Sequence, residues 1–330
     1  MDAESLMQKV RLPNYFSMTL QSEYAQAARD VFFTGAPSAA LDAIEARIAS
    51  CVDAAEARRL CHETISFQTT NGVITHEVNV ALNNQLLGAC RDIEEFLAGY
   101  ESEIHAAIDL LTPKDAVLYD IGSNWGPISI QAALRNGFCG RVYSFEPQLQ
   151  AFSNLQGMVT ALGLQDRIFP HHLALSDIEG VAHLSNPKWR GNVAIGSADE
   201  NGPTCRMTRL DLLSLPDPHL IKIDVEGYEQ QVLAGASALL QRARPLVIFE
   251  DWLENPKTHF QQLGEYGYTF YMLGWHDPFR NEITEKPFKS TIQIFALRRI
   301  SPAMRNELPK RINVLASPRP MTSLVQSTDA

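Results

Sequence analysis

No stretch of the chain holds the roughly 20 consecutive apolar residues that cross a bilayer. The opening residues, MDAESLMQKVRLPNYF, also lack the positive-then-apolar pattern of a secretory signal. A cytoplasmic protein is therefore expected. Positive charge is short as well: Lys and Arg total 28 against 38 Asp and Glu, for a net charge of −10. Nucleic-acid binding rests on neutralising phosphates, and an anionic membrane surface asks for the same basic excess, so neither partner is expected. The five cysteines, Cys51, Cys61, Cys90, Cys139 and Cys205, never form a C-x-x-C pair. An odd number without ligand spacing points to buried or free thiols in a reducing compartment, not to zinc ligands. Internal repeats and low-complexity segments are absent. What remains is a 330-residue chain of ordinary hydrophobic content, 45%, long enough to bury a sizeable core in one large domain or two.

The most informative stretch is VLYDIGSNWGPISI, residues 117–130. An apolar run with one acid, Asp120, reads as a buried strand. Gly122 and Gly126 follow, and Pro127 then stands where the first turn of a helix tolerates a missing N–H. Strand, glycine turn and helix together bring backbone N–H groups and a helix N-terminus up to a ligand. A second strand, RVYSFE, ends on Glu146, about 20 residues past the turn, where an acid can accept hydrogen bonds from both ribose hydroxyls of a nucleoside cofactor.

From 116 onward strands and helices alternate, the pattern of a mainly parallel sheet covered on both faces. The helix after Glu146 carries Phe152, Leu155, Val159 and Leu162 and stops at Gly163. A third strand is expected near 167–174, then a hairpin turn from Asp177 to Gly180. LIKIDVEGYE (220–229) reads as a buried strand ending in Asp224, and PLVIFE as another ending at Glu250. Ligands of such sheets bind outside the carboxyl ends of the strands. Asp120, Glu146, Asp224 and Glu250 all fall there. Strands at 268–273 and 290–297 complete the expected sheet, with Trp275 and His276 in the loop between them as further rim candidates.

Residues 1–115 are expected to be mostly helical. Ser38 can cap a helix bearing Leu41, Ile44, Ile48, Val52 and Ala55, and a second helix is expected over 91–111. Between them, a short extended piece is expected at Gly72–Ile74. This region reads as a cap on the catalytic part, or as an assembly element through which copies of the chain associate. Residues 186–203 read as a long loop or lid, in which Lys188, Trp189 and Arg190 are candidates for holding a sugar or an acidic group. The domain boundaries expected are 1–115, 116–300, and a polar, partly disordered extension at 301–330.

Taken together, DIGSNWG (120–126), SFEP (144–147), ALSDIEG (174–180), TRLD (208–211), IKIDVEGYEQQVLAGA (221–236) and IFE (248–250) resemble the FkbM family of methyltransferases. The resemblance runs from about 100 to 297, and IKIDVEG is its most specific element. It implies a class I, Rossmann-like methyltransferase fold: seven strands, mainly parallel, with a final antiparallel strand between the fifth and sixth positions. It also implies S-adenosylmethionine as cofactor and O-methylation of a small molecule, often a sugar or natural-product scaffold. Carried over, Asp120, Gly122, Asn124 and Gly126 match the cofactor loop, and Glu146 the ribose-binding acid. Ala174 falls where adenine approaches the third strand, and Asp224 matches the acid near the cofactor's ammonium. Ser123 stands where the family usually has alanine, and Trp125 puts a large ring in a variable position, where it is expected to narrow the entrance.

A hydroxyl acceptor needs a proton sink, and Glu226 and Glu250 are the candidates. The metal-free route is favoured over a divalent cation held by Asp224 and Glu250, for which Asp251 and Asn255 would have to reach in. Two rivals stand beside this expectation. One is a nicotinamide-dependent oxidoreductase, although Gly122 to Gly126 does not spell G-x-G-x-x-G. The other is an inactive binding subunit on the same fold.

Overall fold

The computed structural model describes residues 5–11, 16–19, 21–27, 39–69, 72–80, 101–185, 194–195, 203–254, 257–277, 280, 282–284 and 292–322. In chain order the elements are β1 (Ser5–Arg11), β2 (Phe16–Thr19), α1 (Ala39–Ser50), α2 (Ala54–Cys61), β3 (His62–Thr69), β4 (Gly72–Asn79) and α3 (Ser102–Leu111). The alternating part follows with β5 (Val117–Ile121), α4 (Pro127–Leu134), β6 (Arg141–Phe145), α5 (Leu149–Ala161), β7 (Ile168–His171), β8 (Ala174–Leu175), β9 (Gly180–Ser185), β10 (Ala194–Ile195) and β11 (Thr204–Thr208). Last come β12 (Leu220–Ile223), α6 (Glu229–Ala234), α7 (Ser237–Ala243), β13 (Leu246–Trp252), α8 (Thr258–Glu265), β14 (Thr269–Asp277), β15 (Glu282–Thr284), β16 (Ile292–Ile300) and β17 (Arg311–Ser317).

The main sheet runs β7-β6-β5-β12-β13-β17-β14-β16-β1, with β15 added to β14. Strands β5, β6, β7, β12 and β13 are mutually parallel, and β17 is antiparallel to both of its neighbours, β13 and β14. The seven strands from β7 to β14 thus have the class I methyltransferase order. Side chains alternate across the sheet. Leu118, Val142, Leu220, Ile248 and Leu315 pack on one face with α3, α4 and α5, whereas Tyr119, Tyr143, Ile221, Val247 and Phe249 pack on the other with α6, α7 and α8. This parity decides where the polar residues go. Asp120, Lys222, Glu250 and Asn313 fall on the first face and Asp251 on the second.

Several expectations change. The strand inserted between the fifth and sixth positions is β17, beyond residue 300, and not the one expected at 290–297, which is β16 and lies on the outer side of β14. The segment read as a polar extension therefore supplies a buried strand, with Ile312, Val314, Leu315 and Ala316 in the core. Its short apolar run between Pro309 and Pro318 is masked by polar neighbours in any wide window. Among the described residues the N-terminal region also holds a sheet that was not expected beyond the short piece at Gly72–Ile74: β2, β3 and β4 pair antiparallel. Ile65, Val78 and Val80 of this sheet share a core with Leu155 and Met158 of α5, and Asn154 Nδ2 donates to the Asn79 carbonyl at 3.0 Å. The helix expected through Val52 and Ala55 breaks at Cys51–Asp53, because Asp53 caps α2, accepting from Ala55 N at 2.8 Å. Ser38, residues 91–100, and Lys188, Trp189 and Arg190 lie outside the described residues. The turn before Gly180 leads into β9, but β8 and β9 do not form a hairpin, since β11 lies between them.

Strand β17 is fixed at its start by a buried ion cluster. Asp251, fully buried, pairs with Arg305 and receives His259 Nε2 at 3.0 Å and Lys257 Nζ at 3.2 Å. Arg305 also donates to the carbonyls of Pro309 at 2.7 Å and Lys310 at 2.8 Å, which lead into the strand. Removing one partner of a buried pair typically costs about 3–5 kcal/mol. Arg305→Ala should fall near the lower end, about 3 kcal/mol by urea denaturation, because Lys257 and His259 remain beside Asp251. A loss under about 1 kcal/mol would mean that strand pairing alone holds β17.

Candidate active site

At the carboxyl edge, two loops meet backbone to backbone. Gly122 has φ +76°, and a Cβ on it would lie 1.8 Å from the Asp224 carbonyl oxygen, so no larger residue fits. Gly126, at φ +88°, opens α4, and a Cβ there would strike Leu155 at 2.3 Å. The loop folds back on β6: Gly122 N and Ser123 N donate to the Phe145 carbonyl at 2.9 and 3.0 Å. Asn124 N donates to Glu146 Oε2 at 2.8 Å, and Gln148 N to Oε1 at 2.7 Å. Glu146 is thereby aimed by two backbone N–H groups, and each oxygen keeps a lone pair for a ligand hydroxyl. Trp125 is fully buried in the core beside Leu155, not at an entrance.

Asp120, Asp224 and Glu250 are brought together, and the group that joins them is Lys222, which the motif reading passed over. Its side chain is 4% exposed, with Nζ 3.1 Å from Asp224 Oδ2 and 3.9 Å from Asp120 Oδ1. Ser129 Oγ donates to Asp120 Oδ2 at 2.5 Å. Glu250 takes Arg311 Nε at 3.0 Å on one oxygen and Trp252 Nε1 at 2.5 Å on the other. From α3, Glu103 accepts from Asn313 Nδ2 at 2.7 Å, and Glu101 lies within electrostatic reach of Lys222, Asp224 and Arg311. Glu101, Glu103, Arg311 and Asn313 were also missed. They lie far apart in sequence, and only the parity of Lys222 with Asp224 was visible beforehand.

Other candidates are placed differently. Glu226 is exposed on the turn after β12 at φ +55°. The backbone N–H groups of that turn, Val225 N and Gly227 N, donate instead to Glu229 Oε1, at 3.3 and 3.2 Å. Glu250 lies inside β13, which continues to Trp252. Trp275 is buried against Phe295, with ring centroids 5.8 Å apart, and so leaves the rim. His276 is half-buried in β14 opposite Ile283. Ala174 is buried in β8, paired with Met207. Asp251 cannot serve a metal at the rim, being committed to Arg305 on the opposite face. Asn255 lies outside the described residues.

Among the described residues, one ammonium among several carboxyls leaves an acidic excess. Burial raises Asp120 above the usual carboxylate range, with Lys222 working against it. Burial raises Glu146 to about 7, opposed by its two backbone N–H donors. Burial raises Glu101 to about 8, helped by Asp224 and Glu103 and opposed by Lys222 and Arg311. Lys222 itself is raised, because Asp224, Glu101 and Asp120 outweigh its burial. Folded Glu101 and Glu146 therefore hold protons that the unfolded chain, with glutamates near 4.5, has lost. The unfolded state binds fewer protons over this window, so stability declines as pH rises from about 5 to about 8. The melting temperature of ligand-free protein should drop across this window, and Glu146→Gln should flatten the drop. A steady rise in melting temperature to pH of about 9 would contradict these protonation states.

Residues 119–270 match the Methyltransferase FkbM domain family. Hexuronic acid methyltransferase AglP of Haloferax volcanii is 27% identical, over 41% of this chain and 56% of that protein. The AMB antimetabolite synthetase AmbE of Pseudomonas aeruginosa is 29% identical over 45% of this chain and 9% of that protein. The chain thus spans about half of the first relative and under a tenth of the second. Among solved structures, methyltransferase FkbM from Methylobacillus flagellatus shares 15% identity, over 67% of this chain and 56% of that one, with a TM-score of 0.40. S-adenosylmethionine is the cofactor of such domains, and the residues fit it: a glycine turn too tight for any Cβ, a buried acid closing β6, and an acidic rim beyond β12. The match to the FkbM methyltransferase domain thus covers residues 119–270, just under half of this chain.

Proposed function

We propose that the domain methylates a hydroxyl oxygen of a small molecule, with sugars and glycosides, hexuronic acids included, as the acceptor class. The acidic rim around Lys222 carries this reading. S-adenosylmethionine supplies an activated methyl on a positively charged sulfonium and bears an ammonium at its amino-acid end. Among the described residues, five carboxyls, Glu101, Glu103, Asp120, Asp224 and Glu250, share two cations, Lys222 and Arg311. Such an excess attracts a cationic ligand and repels the pyrophosphate of a nicotinamide dinucleotide. In this reading Glu146 receives the ribose hydroxyls, and Asp224 faces the ammonium with the oxygen not turned to Lys222. The turn from Gly122 to Gly126 approaches the cofactor with its backbone, and Ala174 flanks the base. The sugar class is supported by AglP, whose name is that of a hexuronic acid methyltransferase.

The chain's own contribution is placement. Holding an acceptor oxygen in line with the methyl–sulfur bond supplies up to about 7–11 kcal/mol of barrier reduction. The partner is then a soluble small molecule, and neither nucleic acid nor membrane takes part. No divalent cation is required: Asp224 is paired with Lys222, and Glu250 with Arg311. Activity should survive EDTA, and loss in EDTA that magnesium restores would make these acids metal ligands instead.

S-adenosylhomocysteine should raise the melting temperature where NAD does not. Glu146→Ala should weaken its binding by about 1.5–3 kcal/mol, because the lost bonds involve a charged acceptor. NAD binding sensitive to the same substitution would overturn the assignment. The acceptor itself should appear as a metabolite one methyl heavier in cells with the gene than in cells without it.

A further inference from the structure

Among the described residues, the large apolar side chains left exposed are aliphatic, Trp252 excepted. The exception stands at the rim. Ile223 pairs with Phe249, so Asp224 and Glu250 lie level at the ends of β12 and β13. Trp252 is two residues farther out, about 7 Å along the strand, and on the same face as Glu250. Arg311, the first residue of β17, stands directly opposite it. The Cβ atoms of such a pair are about 4.5–5.5 Å apart, so the two side chains are neighbours.

Trp252 is held in place although it is exposed. Its Nε1 donates to Glu250 Oε2 at 2.5 Å, and Arg311 Nε lies 3.0 Å from the other oxygen. Lys257 Nζ donates to the Trp252 carbonyl at 2.9 Å. Leu253 N donates to the Lys310 carbonyl at 2.7 Å, so the pairing of β13 with β17 runs on past the ring. A carboxylate largely withdrawn from water, with a side chain 12% exposed, thus fixes an indole and a guanidinium that both remain 40% or more in solvent. Covering an indole would stabilise the fold more than leaving it open. A ring that is fixed and open is instead suited to a ligand, since it has little freedom left to lose on binding.

We propose that Trp252 and Arg311 form the platform on which the pyranose ring of the acceptor rests; this depends on the sugar class proposed above. A pyranose offers two kinds of surface: a face of slightly positive C–H groups and an edge of hydroxyls. The face of an indole is apolar and electron-rich, so it matches the C–H face. At the border of the ring, Arg311 brings a planar fork of N–H donors and Glu250 brings carboxylate acceptors, so hydroxyls at the sugar's edge meet groups of both kinds. The platform lies beyond Asp224, on the side of the rim away from the glycine turn and Glu146. It therefore leaves the cofactor's place open. A flat phenol would stack on the same indole, and it is the rival occupant that the experiment must separate.

The test loads the whole protein with S-adenosylhomocysteine and follows added sugars by saturation-transfer NMR. The probes are the methyl glycosides of glucose, galactose, mannose and glucuronic acid, with catechol as the phenol. At least one glycoside should bind, with transfer concentrated on the C–H protons of one ring face. Trp252→Ala should weaken that binding about tenfold and Trp252→Phe should keep part of it, while both variants hold S-adenosylhomocysteine within about threefold of wild type. Arg311→Met should weaken the glycoside without changing which ring face receives saturation. Glycoside binding at wild-type strength in Trp252→Ala would overturn the platform. So would a loaded wild type that binds no glycoside, whether or not it takes catechol. Transfer of labelled methyl from S-adenosylmethionine into an extract of cells lacking the gene separates this failure from that of the function. Label entering glycosides equally fast with wild type and Trp252→Ala would overturn the platform alone. Label confined to products that are not sugars would overturn the acceptor class, and the platform with it.

Discussion

A lysine ammonium buried between strand ends sets the electrostatics of this protein. Lys222 sits 3.1 Å from Asp224 and 3.9 Å from Asp120, and is coupled to Glu101. Without it, two carboxylates on adjacent strands would face each other in a low dielectric, an arrangement that forces one of them to stay protonated. With it, both strand ends can carry charge, and β5 and β12 can pair with Lys222 directly opposite Asp120. The desolvation of one ammonium is offset only because several acids surround it. Among the described residues the acids around Lys222 and Arg311 remain in excess of the cations. A cationic ligand that fills the deficit stabilises the folded chain by mass action and by easing that imbalance.

What the sequence disclosed follows from locality. Asp120, Gly122, Gly126 and Glu146 lie within one β-α-β unit, so their spacing alone places them at one edge of the sheet. The burial of Leu118, Ile121 and Val142 follows from their strand pattern in the same way. Lys222 was legible in principle: it shares strand parity with Leu220 and Asp224, and a lysine inside LIKI must face a charge or leave the core. Glu103 with Asn313 and Glu250 with Arg311 were not legible, because these contacts span 210 residues in the first case and depend on which strand is inserted beside β13. Assigning that place to 290–297 rather than to Arg311–Ser317 hid one whole wall of the site.

The misassignment has a physical root. Both β16 and β17 are apolar enough to be buried, and both run antiparallel to β14. What separates them is the anchor at their boundary. Arg305 is 2% exposed and reaches Asp251 of β13, so the chain after β16 is drawn back across the sheet and β17 enters next to β13. A buried arginine in a polar, proline-flanked segment has no sequence pattern to announce it. Its partner has one: Asp251 directly follows Glu250 in a strand, so the two acids must face opposite layers. One layer holds the rim and the other holds the anchor.

The domain match ends at 270, yet the rim extends beyond it in both directions. Glu101 and Glu103 come from α3 before β5, and Arg311 and Asn313 from β17. In the function proposed above, the glycine turn and the acids at the ends of β5, β6 and β12 serve the cofactor, and they sit inside the matched segment. In the same reading, the face beyond Asp224 is left for the acceptor. Supplying that face from flanking segments lets it vary without disturbing the parallel strands that position the cofactor. The contact of Asn313 with Glu103 ties the two flanks together across Glu250, so neither can shift alone. A change in acceptor would then be accommodated at α3 and β17 while Lys222 and its acids stay in place.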